Sequence, residues 1–416
     1  MQAAVNQRVP TQLWDISESI SELAYLTHNF FRYYGKFPSV LGKRLIEEFA
    51  LPKHLIVDNY AGSGTSLVEA KLAGFNSVGI DINPLGVLAC KVKTHSYSYD
   101  ELLKRWEGLK ASLEEHYSFL LSTEELIVER SKYSYDESQK IASTLLPDST
   151  EGEKWFTDKA KNDLAIVKHC ILKLPQDEYR EFFTLAFLAI IRRASNAYDG
   201  EIRPHINPDK RPRPVWKAYI KKGKEMIERE REWVFAAKSK VWSIAEIADN
   251  RKLSALPILK DKPVGMVISH PPYLNSFDYL PAFSLEFKWA EGFAELWGDF
   301  DFKTIRELEI RAWPATNQII LDSYFENQRL VLAEAFKVLV PGGTCCVVVG
   351  DSTIKGELIP VHSMIADIGK SEGFHLEQIV YRTTHYGVGK YAYNHRADYH
   401  GSQSQKKDGV LILRKV

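Results

Sequence analysis

The chain has 416 residues, enough to bury one large core or two modest ones. Lysine plus arginine and aspartate plus glutamate each number 54, so no overall charge indicates a polyanionic partner, although a local basic surface is still allowed. The four cysteines form no C-x-x-C pair, which favours a reduced intracellular protein. The N-terminal residues lack the apolar core of a signal peptide, and no stretch is apolar enough to span a membrane. We therefore expect a soluble, cytoplasmic protein.

Strand and helix patterns alternate at both ends of the chain. Residues 54–93 read as an apolar strand, a glycine turn, a helix and a second strand, which is a parallel βαβ unit. From about 97 to 245 the periodicity is helical. From 246 the alternation resumes, with strands such as VGMVIS and GGTCCVVVGD and a helix SYFENQRLVLAEAFKVL between them. These patterns predict one doubly wound α/β domain with a mostly parallel sheet, interrupted by a helical insertion of roughly 150 residues.

The glycine turn lies in the stretch VDNYAGSGT, where Asp58 ends a strand. The turn itself contains Gly62, Ser63, Gly64 and Thr65. Glycines let the backbone approach a ligand, and the helix that follows offers unpaired N–H groups, but an ordinary strand-to-helix turn needs the same residues. Asp81 ends the next strand about 20 residues later, where a carboxylate accepts from both ribose hydroxyls of an adenosine. Together the two features predict a nucleoside cofactor. The absence of a G-K-[ST] motif argues against a P-loop.

A second turn, VISHPPYLNSFDY (267–279), ends an apolar strand at two prolines. A strand cannot continue through Pro271 and Pro272, because each lacks a backbone donor and fixes its own φ. The turn is therefore rigid. His270 stands at its entrance and Tyr273 follows it.

The two turns in this order resemble the S-adenosylmethionine-dependent amino-methyltransferases of DNA. In that family a D-P-F-x-G-S-G-T turn binds the cofactor and a [DNS]-P-P-[YF] turn holds the target amine. Residues 28–49 resemble the segment that closes over the methionine end, and ADNRKL (248–253) resembles a G-D-A-R turn whose acid meets the adenine amine. The chain departs from the pattern at Asn59-Tyr60, in place of Pro-Phe, and at His270, in place of Asp, Asn or Ser.

The resemblance implies a Rossmann-like class I methyltransferase fold and S-adenosyl-L-methionine as the cofactor. It divides the chain into a cofactor-binding part (28–96), a helical insertion that recognises the target (97–245) and a catalytic part (246–416). It implies that these residues bind the cofactor: Asp58, Tyr60, Gly62, Ser63, Gly64, Thr65, Asp81, Ile82, Asp249 and His270. The implied catalytic residues are His270, Pro271, Pro272 and Tyr273, and no metal is implied.

The proline turn suits an exocyclic amine, which is a poor nucleophile because its lone pair is delocalised into the base. Acceptors aimed at both N–H bonds favour the developing tetrahedral nitrogen and its positive charge. A carbonyl near Pro271 and the neutral imidazole of His270 would be those acceptors, and Tyr273 would stack on a flipped base. Two alternatives remain open. The histidine weakens the site so that the protein only binds nucleic acid, or the register shifts and Ser269 takes the acceptor position.

A basic and aromatic stretch at 192–224 is the predicted nucleic-acid surface, since cations contact phosphates and aromatic rings stack on bases. The predicted substrate-binding residues are Arg203, Arg211, Arg213, Trp216 and Lys217. A solvated helix flank is the alternative. The loop at 382–409 is a second predicted substrate-facing segment. Its spacing of His385, His395, Asp398 and His400 matches no standard metal site.

The resulting prediction is a site-specific DNA methyltransferase, with cytosine N4 ahead of adenine N6 as the target. An RNA guanine-N2 methyltransferase, with RNA as the substrate, and a catalytically silent DNA-binding module are the alternatives. DNA is the predicted partner, a companion restriction endonuclease is possible, and no membrane partner is expected.

Overall fold

The structure is a computed structural model that describes residues 9–116, 135–146, 154–384 and 408–416. Its strands are β1 (Thr11–Ile16), β2 (Leu55–Asp58), β3 (Ser77–Asp81), β4 (Ser243–Ile247), β5 (Val264–Ser269), β6 (Leu339–Gly350), β7 (Ser352–Ile354), β8 (Glu357–Ile359), β9 (His375–Thr384) and β10 (Asp408–Arg414). Its helices are α1 (Ser39–Phe49), α2 (Thr65–Ala73), α3 (Pro84–Thr94), α4 (Tyr99–Glu114), α5 (Tyr135–Ser143), α6 (Asp158–Leu172), α7 (Glu178–Leu188), α8 (Ile191–Ala194), α9 (Val215–Ala236), α10 (Tyr279–Ala282), α11 (Ser284–Ala290), α12 (Phe302–Leu308), α13 (Gln318–Val338) and α14 (Val361–Ser371).

Eight strands form one sheet in the order β1-β9-β10-β6-β5-β2-β3-β4, and β7 and β8 form a separate hairpin. Among the described strands of the large sheet, only β10 runs antiparallel to its neighbours. The strand order reverses between β2 and β5, where Val57 pairs with Val267. Ligands of open α/β sheets bind in the crevice at such a switch point. The predicted Rossmann-like, doubly wound fold is confirmed.

Both faces of the sheet are covered by apolar packing. In β2 the side chain of Ile56 belongs to the core on the α1 side, whereas Val57 belongs to the core that contains α13. The same alternation places Cys346 on the first side and Cys345 on the second. Strands buried on both faces read as continuous apolar runs, which is why the strand predictions succeeded.

The helices between β3 and β4 pack around a core rich in aromatic rings, including Phe182, Phe187 and Tyr219. This core also takes in Phe30 from the N-terminal segment and Trp289 from α11. The helical residues are therefore packed onto both neighbouring parts of the chain. The predicted boundary at 246 falls inside β4, whose first three residues already pair with β3, so it lies too late. Otherwise the three-part division stays a prediction.

None of the described helices is long and apolar enough to span a lipid bilayer.

Candidate active site

A cavity that is partly open to solvent lies at the carboxyl ends of β2 and β5. Of the predicted cofactor-binding residues, these line it: Tyr60, Gly62, Ser63, Thr65, Asp81, Ile82 and His270. Of the other predicted catalytic residues, Pro272 lines it as well. The fold therefore brings the glycine turn and the proline turn to one cavity, as their positions after adjacent parallel strands require.

The glycine turn has left-handed backbone at Gly62 (φ 49°) and Gly64 (φ 76°). A Cβ at Gly62 would lie 3.0 Å from the ring of Tyr33, and a Cβ at Gly64 would lie 3.0 Å from the sulfur of Cys90. Both glycines are thus required by the conformation and by close packing. Gly64 itself does not line the cavity; it closes the turn that starts α2.

Two buried carboxylates hold the strand ends in place. Asp58 accepts from the Tyr60 amide at 3.0 Å and from the Ser66 hydroxyl, and burial raises its pKa to about 7. It lies behind the turn and does not line the cavity, so its contribution is to shape the turn. Asp81 accepts from the Gly62 amide at 2.7 Å, and burial raises its pKa to about 6. Asp81 does face the cavity.

The hydroxyl of Ser63 offers a test of whether the cavity fits a polar cofactor. Ser63 is 2% exposed, lines the cavity, and has no hydrogen-bond partner for its Oγ among the described residues. A buried hydroxyl without a partner is costly, so a ligand group that pairs with it would be stabilised there. Together with the acceptor at Asp81, this arrangement fits the amino-acid and ribose ends of a nucleoside cofactor.

One wall of the cavity comes from residues 33–37, within the segment that the sequence linked to the methionine end. Tyr33 stacks on Tyr279 with ring centroids 5.9 Å apart, and the Tyr279 hydroxyl packs against Gly35. Lys36 and Phe37 also line the wall. The sequence identified this segment but none of these individual residues, because their contacts join positions far apart in the chain.

His270 lines the cavity directly after β5, with its ring edge-on to Phe37 and to Tyr273 at centroid distances of 5.3 and 5.4 Å. Ser269 is 1% exposed and is the last residue of β5. The imidazole, and not the serine hydroxyl, is therefore the side chain presented to the cavity. The Pro272 carbonyl accepts from the Tyr324 hydroxyl at 2.9 Å.

Hydrogen bonds between residues 278–280 and residues 309–313, together called the brace, fix the chain that follows the proline turn. Glu309 accepts from the Tyr279 and Leu280 amides at 2.7 and 3.0 Å, and it lines the cavity. Asp278 accepts from the Ala312 and Trp313 amides at 3.3 and 3.2 Å. Burial raises the pKa of Glu309 to about 7. Sequence reasoning missed Glu309, which belongs to no motif.

Asp249 is placed differently from its prediction. Its carboxylate is paired with the Arg251 guanidinium at 2.8 Å and caps the short helical turn at 250–255. The neighbouring Ala248 and Asn250 line the cavity, whereas Asp249 does not. Because the arginine already engages this acid, the geometry favours Asn250 over Asp249 as the polar group at this end.

The basic stretch at 192–224 divides into buried and exposed cations. Arg192 is 4% exposed and donates to the carbonyl of Ala282 at 2.9 Å, so it is a structural residue. Lys210 and Lys222 likewise donate to backbone carbonyls. These three cations do not belong to a DNA surface. This corrects the sequence prediction, which took the whole basic stretch at 192–224 as the nucleic-acid surface.

The predicted substrate-binding residues lie outside the cavity lining. Arg211, Arg213 and Lys217 are exposed, and Lys217 lies over the half-buried ring of Trp216 at 5.4 Å. Arg203 stacks on Trp313, its guanidinium carbon 4.1 Å from the ring centroid. That contact joins the helical segment to the brace behind the proline turn.

The second predicted substrate-facing segment, 382–409, lies almost wholly outside the described residues, as do His385, His395, Asp398 and His400. Within the described ranges, no group of three or more histidine, cysteine, aspartate or glutamate side chains is placed to hold a metal ion.

Comparison with known proteins finds similar DNA methyltransferases. Residues 2–87 match a family model described as DNA methylase. The Type II methyltransferase M.BsoBI of Geobacillus stearothermophilus is 24% identical over 83% of this chain and 78% of its own length. The Type II methyltransferase M.MvaI of Kocuria varians is 29% identical over 43% of this chain and 36% of its own. These matches support an S-adenosylmethionine-dependent amino-methyltransferase of DNA.

The similarity to these methyltransferases supports S-adenosyl-L-methionine as the cofactor. The DNA adenine methyltransferase YhdJ of Escherichia coli (strain K12) is 31% identical over 24% of this chain and 33% of its own length. Among solved structures, the rRNA methyltransferase aviRa of Streptomyces viridochromogenes covers 92% of this chain and 86% of its own, with a TM-score of 0.34 and 10% identity. That likeness is too low to add to the fold assignment.

Proposed function

We propose that the protein transfers a methyl group from S-adenosyl-L-methionine to the exocyclic amine of a base in DNA, with cytosine N4 ahead of adenine N6. The observation that carries the proposal is that one cavity is lined both by Ser63 and Asp81 and by His270 and Pro272. A cofactor held by the first pair would lie beside an amine held at the second.

S-adenosyl-L-methionine, when bound, supplies an electrophilic methyl group on a sulfonium. The chain supplies acceptors for the amine. In our proposal the His270 imidazole takes one N–H, and a carbonyl of the proline turn takes the other. Tyr324 already donates to the Pro272 carbonyl and occupies one of its two lone pairs, so we assign the second acceptor to the carbonyl of His270 or Pro271. Both acceptors favour the nitrogen as it becomes tetrahedral and positive.

We assign Asp81 to the ribose hydroxyls, since its carboxylate lies at the end of β3 and faces the cavity. Gly62 already donates to one of its oxygens and Asn83 to the other, at 2.7 and 2.8 Å. These amides fix the carboxylate, and each oxygen keeps a further lone pair for a ligand hydroxyl.

We place the DNA along the exposed cations of the helical segment. Phosphate contacts from Arg211, Arg213 and Lys217 would position the duplex without reading its sequence. The Arg203–Trp313 pair lies closer to the catalytic part, on the brace that begins at Tyr279. The target base would have to leave the stack to reach His270, and Tyr273 is the ring beside that position.

Adenine N6 is the second target that we consider, because the similarity to YhdJ extends over 24% of the chain. The deciding experiment incubates unmethylated DNA with the protein and cofactor, digests it to nucleosides and identifies methylated products by mass spectrometry. N4-methylcytosine supports the first target and N6-methyladenine the second. Methylated guanosine from parallel RNA reactions would show that RNA, and not DNA, is the substrate. If no reaction gives a methylated nucleoside, the protein is a catalytically silent binding module.

We extend the proposal to a companion restriction endonuclease, as expected for a relative of Type II methyltransferases. DNA treated with the protein should then resist cleavage by a nuclease of the same recognition sequence. Cleavage at full rate after complete methylation would contradict this part of the proposal.

A further inference from the structure

We propose that Arg203, Arg311 and Trp313, together called the Arg–Trp cluster, bind a phosphate of the target nucleotide after its base has left the stack. The inference rests on the proposed function and deepens it. It assigns the extruded nucleotide to residues that are separate from the exposed cations we place along the duplex.

The Arg–Trp cluster is tied to the chain that follows the proline turn. The Asn275 amide donates to the Ala312 carbonyl at 2.8 Å, and the Asn275 side chain accepts from the Ala315 amide at 3.3 Å. Trp313 lies between these two partners in the chain, and Asn275 is two residues after Tyr273. The tryptophan is therefore held on the same side of the catalytic part as the ring that we propose for base stacking.

Arg311 joins the cluster to the wall of the cavity. It directly follows Ile310, which lines the cavity. Its guanidinium donates to the Trp313 carbonyl at 3.2 Å and to the Asp278 carboxylate at 3.3 Å, and 52% of its side chain is exposed. A guanidinium has five N–H donors, so these two bonds fix the side chain and leave donors for a ligand.

Arg203 reaches the same tryptophan from the loop between α8 and α9. Its guanidinium carbon lies 4.1 Å from the ring centroid of Trp313, a residue that is 39% exposed. Stacking engages the face of the guanidinium, so the N–H groups at its edge are available for the two oxygens of a phosphate. The contact is with a ring and not with an acid, so it leaves the charge of Arg203 uncompensated.

The acids that precede Arg203 in the chain are engaged by other cations or rings. Glu201 is paired with the His205 ring at 2.5 Å, and Asp199 accepts from the Lys210 ammonium group at 2.8 Å. Arg203 therefore adds positive charge to this surface, which favours an anionic ligand such as a DNA phosphate.

A contact that forms only after the base has left the stack favours the extruded state over the stacked state. A ligand shifts such an equilibrium only through its different affinity for the two states. Cations that touch the backbone in both states, as we propose for Arg211 and Arg213, raise affinity for DNA without this preference. The Arg–Trp cluster should instead change the rate of methyl transfer at saturating DNA.

The test measures single-turnover transfer of a radiolabelled methyl group to genomic DNA that has been amplified in vitro and is therefore unmethylated. We expect Arg203→Gln to lower the rate at saturation by about 10-fold, as for the loss of one charged hydrogen bond, and Arg311→Gln to lower it as well. Affinity for a duplex of arbitrary sequence should change by less than about twofold. Trp313→Phe, which keeps a ring under the guanidinium, should retain more activity than Trp313→Ala.

A mismatched target separates this effect from a loss of packing. The methylated position is first mapped by sequencing, and the target base is then placed opposite a mismatched base, which lowers the cost of extrusion. The defect of Arg203→Gln should shrink to less than about threefold on this duplex, because extrusion then depends less on the phosphate contact. A loss of packing would slow transfer to both duplexes equally.

Lys262 supplies a matched control. It lies over the ring of Trp242 at 5.4 Å, so the kind of contact is the same. It precedes Val264, the first residue of β5, and is therefore at the opposite edge of the sheet from the cavity. Lys262→Gln should leave the transfer rate on both duplexes unchanged.

The outcomes separate the cluster from the proposed function. Unchanged affinity for S-adenosylhomocysteine shows that a variant is folded, and Arg311→Gln decides if Arg203→Gln fails this check. If the wild-type protein methylates DNA but the folded variant matches its rate, or is slowed equally on paired and mismatched targets, the cluster does not hold the extruded nucleotide and the proposed function stands. If the wild-type protein does not methylate DNA, the proposed function fails and the cluster with it.

Discussion

The hydroxyl of Tyr273 donates to Asp408 at 2.8 Å, which joins the proline turn to the first residue of β10. Arg382 of β9 donates to that hydroxyl at 2.7 Å and to the Asp408 carboxylate at 3.0 Å. The ring also packs on Gly350, where a Cβ would lie 2.8 Å away. The aromatic ring that we propose for base stacking is thus anchored through its hydroxyl to two strands of the sheet.

We therefore predict that Tyr273→Phe, which keeps the ring and removes the anchor, slows single-turnover methyl transfer by about 10-fold. Affinity for S-adenosylhomocysteine should change by less than about twofold, since Tyr273 does not line the cavity. Tyr273→Ala should slow transfer further. A Tyr273→Phe rate equal to that of the wild-type protein would show that the anchor does not position the ring.

His270 is predicted to act as an acceptor for the target amine. His270→Ala should raise the barrier to methyl transfer by about 2–4 kcal/mol, as expected for one preorganised hydrogen-bonding group. His270→Ser and His270→Asp restore the family's usual acceptors and should retain substantial activity. Single-turnover rates measure this, with cofactor affinity as the control for folding. If His270→Ala matches the wild-type protein, the acceptor lies elsewhere in the turn.

Asp81 should link cofactor affinity to pH. Its pKa is about 6, so the ionised acceptor disappears as the pH falls below that value, and affinity for S-adenosylhomocysteine should fall with it. Asp81→Asn should weaken binding by about 1–3 kcal/mol at neutral pH and remove the dependence between pH 5 and pH 7. Calorimetry at several pH values decides, and a wild-type affinity that does not vary over this range would contradict the assignment.

The same carboxylate should have the opposite effect on folding. Burial raises its pKa from 3.8 to about 6, so the folded protein holds the proton more tightly and, without ligand, the wild-type protein should lose stability as the pH rises from 3.8 to about 6. Asp81→Asn cannot ionise and should not show this loss in thermal denaturation at several pH values. Its amide nitrogen would face the Gly62 or the Asn83 amide, so the variant should not exceed the wild-type protein in stability at acidic pH.

Much of the fold could be predicted because its determinants are local. The glycines lie within a few residues of the apolar run of β2, and the prolines directly follow the apolar run of β5. Parallel pairing of the two strands then brings the two turns together. The contributions of Tyr33, Lys36 and Glu309 could not be predicted in this way. Each reaches the cavity through packing of segments that are distant in sequence.

Charge pattern was a poor guide to side-chain direction. Arg192 and Arg211 both stand in the basic stretch, yet one donates to backbone carbonyls in the interior and the other is exposed. Asp249 similarly fits its motif but pairs with Arg251, which only the folded structure shows. Residue type and spacing predict which groups are available, whereas packing decides where they point.

The exposed arginines and the buried Arg192 should respond differently to substitution, and the exposed ones come first. Replacing Arg211 and Arg213 by glutamine should lower DNA affinity and reduce the log–log salt slope by roughly 0.9 for each phosphate that is no longer neutralised, with cofactor affinity unchanged. Replacing Lys370, an exposed cation of α14, is the control. Filter-binding or anisotropy titrations at several salt concentrations measure the slope. An unchanged slope would transfer the proposed DNA surface to the 382–409 segment.

Arg192→Met should behave differently, because the guanidinium is buried beside Glu286 and donates to carbonyl groups. Removing it leaves that acid without its partner, which typically destabilises a protein by about 3–5 kcal/mol. The destabilisation should appear as a lower denaturation midpoint, not as a changed salt slope. A stable Arg192→Met protein with weak DNA binding would return Arg192 to the DNA surface.

Glu230 of α9 should make stability depend on pH. Its side chain is fully buried, one oxygen accepts from the Tyr97 amide at 3.1 Å, and the other has no partner among the described residues. Burial raises its pKa from 4.5 to about 9. Between these two values the folded protein keeps a proton that the unfolded chain has released, so the free energy of unfolding falls as the pH rises.

Glu230→Gln keeps the acceptor for Tyr97 and cannot ionise, so it isolates this contribution from every other titrating group. We expect the variant to gain stability over the wild-type protein by at most about 1.4 kcal/mol per pH unit between pH 5 and pH 9, with the difference levelling off above pH 9. Glu232→Gln, at an exposed acid on the same helix, should run parallel to the wild-type protein. Denaturant titrations across this range test the prediction, and parallel curves for Glu230→Gln would mean that Glu230 is ionised in the folded protein at neutral pH.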